Sequence, residues 1–239
     1  MSSYSKPTST ARIAIATRAI PLIVVLGAAL PLPSHASALG DFSAGYDAML
    51  QKNYNEAITR FSGAIASGDL KPANLALAYH YRGAEYLKTG KDDEAIADQD
   101  RAIELNPKLE TAYYDRAIAL RHKGEFARAI ADYSEAIKLN PDLNYYYLYR
   151  GQAYAANNQY DEAVADYKKA LYYRPKSVEA FVSLGDVHFK EGHSAEALAA
   201  YREAMHLHGG LLKVYPSLVA KLDALGGTPA NRVVLDDRR

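Results

Sequence analysis

The residues of this 239-residue chain whose types could support chemistry are seven histidines, a Gly-His-Ser-Ala-Glu run and a Gly-Lys pair. Gly192-His193-Ser194-Ala195-Glu196 begins like the turn that presents a nucleophilic serine. It lacks the second glycine, and it lies between two helical patterns rather than between a strand and a helix. Gly90-Lys91 lacks both the upstream glycine and the following hydroxyl of a phosphate-binding loop. The seven histidines do not converge: His206 and His208 stand two apart, which a helix sends to different sides. His80 and His122 read as polar contacts rather than as acid or base. With no cysteine, disulfides, thiolate-bound zinc, iron–sulfur clusters and thiol nucleophiles are excluded. The reading is therefore non-enzymatic, with no catalytic residue, no metal and no cofactor expected.

Composition narrows the classes further. Hydrophobic residues make up 49% and charged residues 23%, ordinary values that exclude wholesale disorder, collagen and a multi-span membrane protein. Lys+Arg and Asp+Glu balance at 28 each, and nucleic acid is an unexpected partner for a chain without a basic excess. There are 20 tyrosines and no tryptophan, an imbalance that any account of the chain must explain.

The elements that position these residues follow a period of 34. Pro107, Pro141 and Pro175 keep it, as do Ala95, Ala129, Ala163 and Ala197, and Ala102, Ala136, Ala170 and Ala204. Gly83, Ala117, Gly151 and Gly185 form another column, Tyr79, Tyr113, Tyr147 and Phe181 another, and Gln99, Tyr133, Tyr167 and Tyr201 a fifth. Five columns over four units are not chance.

This pattern resembles the tetratricopeptide repeat (TPR) family, whose units run aromatic, Leu-Gly, Tyr, then Ala, aromatic and Pro at fixed offsets. Residues 76–109, 110–143, 144–177 and 178–211 each fit one unit. A degenerate earlier copy at about 38–71 carries Gly45, Tyr54, Ala57, Phe61 and Ala64, and a four-residue insertion, Pro72 to Leu75, follows it. The last unit has Gly209-Gly210 in place of its Pro. The resemblance implies an all-α, right-handed solenoid of about five helix-turn-helix repeats over 39–225. A capping helix is expected at 212–225, and a polar tail at 226–239. In each unit the small residues mark close helix approaches, where a larger side chain would cost ~1–3 kcal/mol. The turn Thr89-Gly90-Lys91-Asp92 would end one helix on glycine and cap the next on an acid.

One departure from the motif carries information. Where leucine usually precedes the glycine, three units have Arg82, Arg116 and Arg150, and each has an aspartate sixteen residues later: Asp98, Asp132 and Asp166. In the last unit both change together, to Leu184 and Ala200. An ion pair within each unit accounts for all three arginines and all three aspartates.

About half of the tyrosines fall on packing positions; Tyr46, Tyr81, Tyr114, Tyr145, Tyr146, Tyr149, Tyr172, Tyr173 and Tyr215 do not. The resemblance implies that the first helix of each unit lines a concave groove. Carried over by position, that groove comprises Tyr46, His80, Leu87, Lys88, Tyr114, Ile118, Arg121, His122, Tyr145, Gln152, Asp186 and Phe189. Thr111, Ala155, Glu179 and Lys190 also fall on it. This is an aromatic and apolar channel with a basic middle and an acidic flank, suited to an extended peptide or a partner helix. The Lys/Asn clamp that grips a chaperone tail's carboxylate is absent, since Phe42 with Tyr46, His80 with Ala84, and Tyr114 with Ile118 occupy its first position.

The N-terminus reads as a signal peptide over 1–38. Lys6, Arg12 and Arg18 precede an apolar run from Ala19 to Leu30, Ala36-Ser37-Ala38 offers a cleavage site, and no acid appears before Asp41. The run falls short of the ~20 apolar residues of a membrane span. Cleavage after Ala38 removes three positive and no negative charges, for a net charge of −3. The chain is thus expected in the periplasm or secreted, with no membrane segment after cleavage. Its expected role is a protein-binding scaffold with a protein or peptide partner. Self-assembly into an oligomer and glycan or peptidoglycan binding are the alternatives.

Overall fold

The computed structural model describes residues 37–207 and 216–226, and every regular element among them is α-helical. Ten helices form five antiparallel hairpins. They are α1 (Ala38–Leu50) with α2 (Tyr54–Ala66), α3 (Pro72–Lys88) with α4 (Asp92–Leu105), and α5 (Glu110–His122) with α6 (Phe126–Leu139). Then come α7 (Asn144–Ala156) with α8 (Tyr160–Tyr173), and α9 (Val178–Lys190) with α10 (Ser194–Leu207). The second helix of each hairpin packs on the first helix of the next, so the hairpins stack in chain order as an α-solenoid. None of these helices is long and apolar enough to cross a membrane. Residues 1–36 of the proposed signal segment at 1–38, Gly209-Gly210, residues 212–215 of the proposed cap and the tail from 227 lie outside the described residues.

The repeat columns are the core. Ala57, Ala95, Ala129, Ala163 and Ala197 are wholly buried, as are Ala64, Ala102, Ala136, Ala170 and Ala204. The aromatic column fills the space between: Phe61, Tyr133 and Tyr201 are fully buried and Tyr167 nearly so. A Cβ on Gly151 would stand 2.7 Å from the Tyr167 ring, and one on Gly83 would stand 2.7 Å from Gln99 Nε2. At Gly83 and Gly151 even the Cβ of alanine is therefore crowded, whereas another unit of the column accommodates the wholly buried Ala117.

Three local expectations are refined. The insertion Pro72 to Leu75 forms an extra turn at the start of α3, which reaches 17 residues with proline at its first position, where no N–H is needed. In the inter-helix turns Gly90, Gly124 and Gly192 take φ of 73–79°, as a helix-ending residue requires, and Asn158 takes φ 60° in the same role. The acids that follow do not cap. Lys91 is the N-cap of α4, without a side-chain bond, and Asp92, Asp93 and Glu94 occupy the first turn, where they complement the helix dipole.

The three predicted ion pairs are present and bidentate. Arg82, Arg116 and Arg150 each donate from Nε and Nη2 to the two oxygens of Asp98, Asp132 and Asp166 at 2.7–2.8 Å. Each arginine also reaches back to the preceding hairpin: Nη1 donates to Ser62, Asp100 and Ser134 at 3.0, 2.6 and 3.0 Å. Arg82 and Arg150 lie between two tyrosine rings, Tyr79 with Tyr86 and Tyr147 with Tyr154. The pair therefore ties not two helices but three.

At the far end, α11 (Pro216–Ala224) covers the last hairpin. Leu222 is buried against Ala197, Tyr201 and Ala204.

Candidate protein-binding groove

The first helices α3, α5, α7 and α9 supply most of two adjoining depressions. One, of about 440 Å³, is lined by His80, Thr111, Tyr114, Asp115, Tyr145 and Tyr149. The other, of about 380 Å³, is lined by Arg121, Gln152, Ala155, Ala156, Ser183, Asp186 and Lys190, with the buried Tyr167 and Val187 beneath. Residues from three repeats meet in each because first helices of neighbouring hairpins touch, α3 on α5 and α7 on α9.

Tyrosine dominates the first depression. The Tyr114 ring lies 5.1 Å from Tyr145, 5.2 Å from Tyr146, 5.7 Å from Tyr149 and 5.9 Å from Tyr133, in tilted and edge-on contacts. Such geometry sets the positive edge of one ring against the negative face of another. Burial, and the neighbouring phenols after it, push the Tyr114 hydroxyl well above the ordinary tyrosine range. The hydroxyls of Tyr133 and Tyr146 are buried without a hydrogen-bond partner.

A polar knot closes the other side of this depression. Gln99, fully buried where other units have an aromatic, accepts at Oε1 from His80 Nδ1 at 3.1 Å and donates from Nε2 to the His80 carbonyl at 3.1 Å. Asp115 lies 3.6 Å from the His80 ring nitrogen and accepts from Gln99 at 3.5 Å. Burial pushes the Asp115 carboxyl up to about 7, against the opposing pull of Lys88. Burial also lowers the His80 imidazole, with the Gln99 bond partly opposing it.

In the second depression Arg121 stands with its guanidinium 5.8 Å from the Tyr149 ring, at the junction with the first, and its Nε is buried without a partner. Gln152 donates to Glu179 at 3.1 Å. Asp186 accepts from the Tyr201 hydroxyl at 2.6 Å and from Lys221 of α11 at 2.5 Å, so the capping helix is anchored to the groove wall.

Of the expected groove residues, His80, Tyr114 and Tyr145 share the first depression, and Arg121, Gln152 and Asp186 the second. Tyr46 is 40% exposed and meets the groove side through Tyr81, 5.6 Å away. Ile118 packs into the core beneath, and Leu87 is half-buried. Phe189 is exposed outside both depressions. The basic middle is thinner than expected. Lys88 pairs with the wholly buried Glu85 at 2.6 Å, and His122 turns to Asp92 at 3.0 Å. Arg121 and Lys190 remain as the cations of the wall. The sequence reading overlooked Asp115, Tyr149 and Ser183, which with Tyr81 form a column of their own at the repeat period. That spacing was the available signal.

Two histidines do converge, contrary to expectation. His188 and His193, with Glu191, surround the α9–α10 turn with their ring centroids 5.9 Å apart.

Models of the tetratricopeptide repeat match residues 76–109, 111–143 and 178–207, and a TPR repeat model matches 151–192, together more than half of the chain. The chain belongs to the tetratricopeptide repeat family. Solved structures agree on the fold. The crystal structure of MamA protein aligns with a TM-score of 0.66 at 22% identity, covering 74% of this chain and 94% of MamA. TTC0263, a thermophilic TPR protein of Thermus thermophilus, gives 0.57 at 23%, covering 78% and 99%. YrrB, described as a TPR protein with an unusual peptide-binding site, gives 0.65 at 17%, covering 80% and 93%. In this TPR solenoid the first helices line both depressions while also burying residues such as Leu120 and Tyr146 in the core.

Proposed function

We propose that this protein is a non-catalytic scaffold that holds an extended or helical segment of another protein across its first-helix wall. The observation that carries this reading is the pair of joined depressions, one walled by tyrosines and the other bearing Arg121. Tyrosine and arginine are the side chains that anchor protein interfaces, since each buries much area while keeping a polar tip. Arg121 lines the second depression with a guanidinium braced on Tyr149, a donor suited to a carbonyl or carboxylate of a bound segment. That a structural neighbour is described by its peptide-binding site is consistent with this use of the wall. The test is capture of partners from envelope extract by the chain and by the Tyr114→Ala/Arg121→Ala variant. Loss of the captured proteins with the variant supports the reading, and an unchanged set contradicts it.

The proposed setting is the bacterial envelope, after export and cleavage behind Ala38, on the strength of the charged, apolar and small-residue pattern over 1–38. Mass spectrometry of the N-terminus of protein from the envelope fraction should find Leu39 first. An intact Met1 terminus would exclude export by this route.

A second reading, self-association, is favoured by one feature. Leu39, Tyr46 and Leu50 are 59%, 40% and 63% exposed and fall on one stripe of α1, at the end of the stack. Light scattering that shows a monomer at every concentration would remove it.

A further inference from the structure

We propose that His188, Glu191 and His193 bind a divalent transition-metal ion of the zinc class at the α9–α10 turn. One potential ligand atom from each side chain lies within 4.8 Å of the others. His188 Nδ1 stands 3.9 Å and His193 Nδ1 3.6 Å from Glu191 Oε2. Tetrahedral zinc with ligands at ~2.0–2.1 Å holds them ~3.3 Å apart, so the two carboxylate separations close by about 0.6 and 0.3 Å, and the two imidazoles, no more than 4.8 Å apart, draw together by side-chain rotation. Two imidazoles and a carboxylate are the donor set of open zinc sites, with a fourth position left to solvent or to an outside ligand.

The backbone holds the three donors in place. His193 N–H donates to the His188 carbonyl at 2.9 Å and Glu191 N–H to the Val187 carbonyl at 3.0 Å, around a left-handed Gly192. The three donors thus sit on a rigid turn, and His193 and Glu191 adjust by side-chain rotation alone.

The other units show that this turn is not built this way for packing. At the His188, Glu191 and His193 positions they carry Tyr86, Thr89 and Lys91, then Leu120, Lys123 and Glu125, then Tyr154, Asn157 and Gln159. Tyr86 and Tyr154 lie against the arginine of their unit's ion pair. In the last unit that arginine is Leu184, its aspartate is Ala200, and the acceptor that would face it from the preceding hairpin is Lys168. The place of the ion pair becomes a cavity of about 780 Å³ floored by Leu184 and Ala200, with His188 and His193 among its lining residues. His188 has exchanged an aromatic stacking role for an imidazole whose Nδ1 is buried and has no hydrogen-bond partner. A bound cation supplies that missing partner.

The test is calorimetric titration of the full, tag-free chain with zinc chloride, beside His193→Ala and Glu191→Gln. His193 is exposed and Glu191 caps a helix through its backbone, so neither change removes core packing. Wild type should take up one ion per chain and melt at a higher temperature with zinc than without, because the ion binds only the folded turn. Each variant should bind at least about tenfold more weakly and lose the zinc-dependent rise, with an unchanged helical spectrum. Absence of binding by wild type at about 100 µM zinc, well above the affinity a three-ligand site should give, overturns the proposal. So does undiminished binding by both variants, which would put the ion elsewhere, for instance at His206 or His208.

Discussion

The Arg121 guanidinium stands 5.8 Å from the Tyr149 ring, and this contact joins the two depressions of the first-helix wall. A segment lying across both would meet a cation already braced against an aromatic face, which lowers the cost of fixing it. Tyr149→Ala should therefore weaken partner binding even where Tyr149 itself makes little contact. Its loss also frees Arg121, so Tyr149→Ala and Arg121→Ala should be less than additive, by about 0.5–3 kcal/mol, in a binding cycle with any partner captured on this wall.

Asp115 makes stability depend on pH. Its folded carboxyl is raised to about 7 by burial, above the ~3.9 of an unfolded aspartate, so the folded chain holds the proton more tightly. Its ionisation therefore costs stability as pH rises from about 4 through 7. His80 acts on the acid side with the opposite sign: its lowered pKa means that unfolding is favoured once the unfolded imidazole protonates below ~6.5. Asp115→Asn should be more stable than wild type by about 1–3 kcal/mol at pH 8, a gain that shrinks towards pH 4. Urea titrations at the two pH values check this; a constant difference would show that Asp115 titrates as a solvated acid.

The ion pairs between hairpin helices are expected to be coupled. Arg150 and Asp166 are the cleanest pair, because the further partner of Arg150 is the hydroxyl of Ser134, whereas Arg116 also holds Asp100. With the pair mostly buried, a double-mutant cycle on Arg150→Ala and Asp166→Ala should give about 1–3 kcal/mol of coupling. Asp166→Ala alone should destabilise strongly, since it leaves a guanidinium half-buried without its carboxylate. A coupling near zero would reduce the pairs to two solvated charges.

Gly151→Ala should lower stability by about 1–3 kcal/mol, read as a fall in thermal midpoint, because the new Cβ meets the Tyr167 ring at 2.7 Å and the Ala163 carbonyl at 3.3 Å. The combination with Tyr167→Leu, which removes the obstructing ring, should recover part of that loss.

The fold was legible because in a stacked repeat each packing requirement recurs. Alanine at Ala95, Ala129, Ala163 and Ala197 answers the same close approach four times, and the arginine and aspartate that vanish together at Leu184 and Ala200 reveal their pairing without any coordinates. The wall was legible only in part. Whether a first-helix side chain faces the wall depends on how far its helix rolls against the neighbouring one, and a fixed set of positions misses the column of Tyr81, Asp115, Tyr149 and Ser183. Charge pairing was hidden as well. Lys88 looked available until Glu85, three residues away on the same helix, was found fully buried beneath it. The meeting of His188 with His193 depends on the left-handed Gly192, which folds residues five apart back onto one another.

The central claim is that the first-helix wall holds a segment of another protein, and site-specific photo-crosslinking in cells tests it most directly. A photoreactive residue at Gln152 or Lys190, both lining the second depression, is compared with one at Tyr172, which is 74% exposed on a second helix. The account predicts discrete adducts with another protein from Gln152 and Lys190 and none from Tyr172. Adducts of equal yield from all three positions, or from Tyr172 alone, would contradict it.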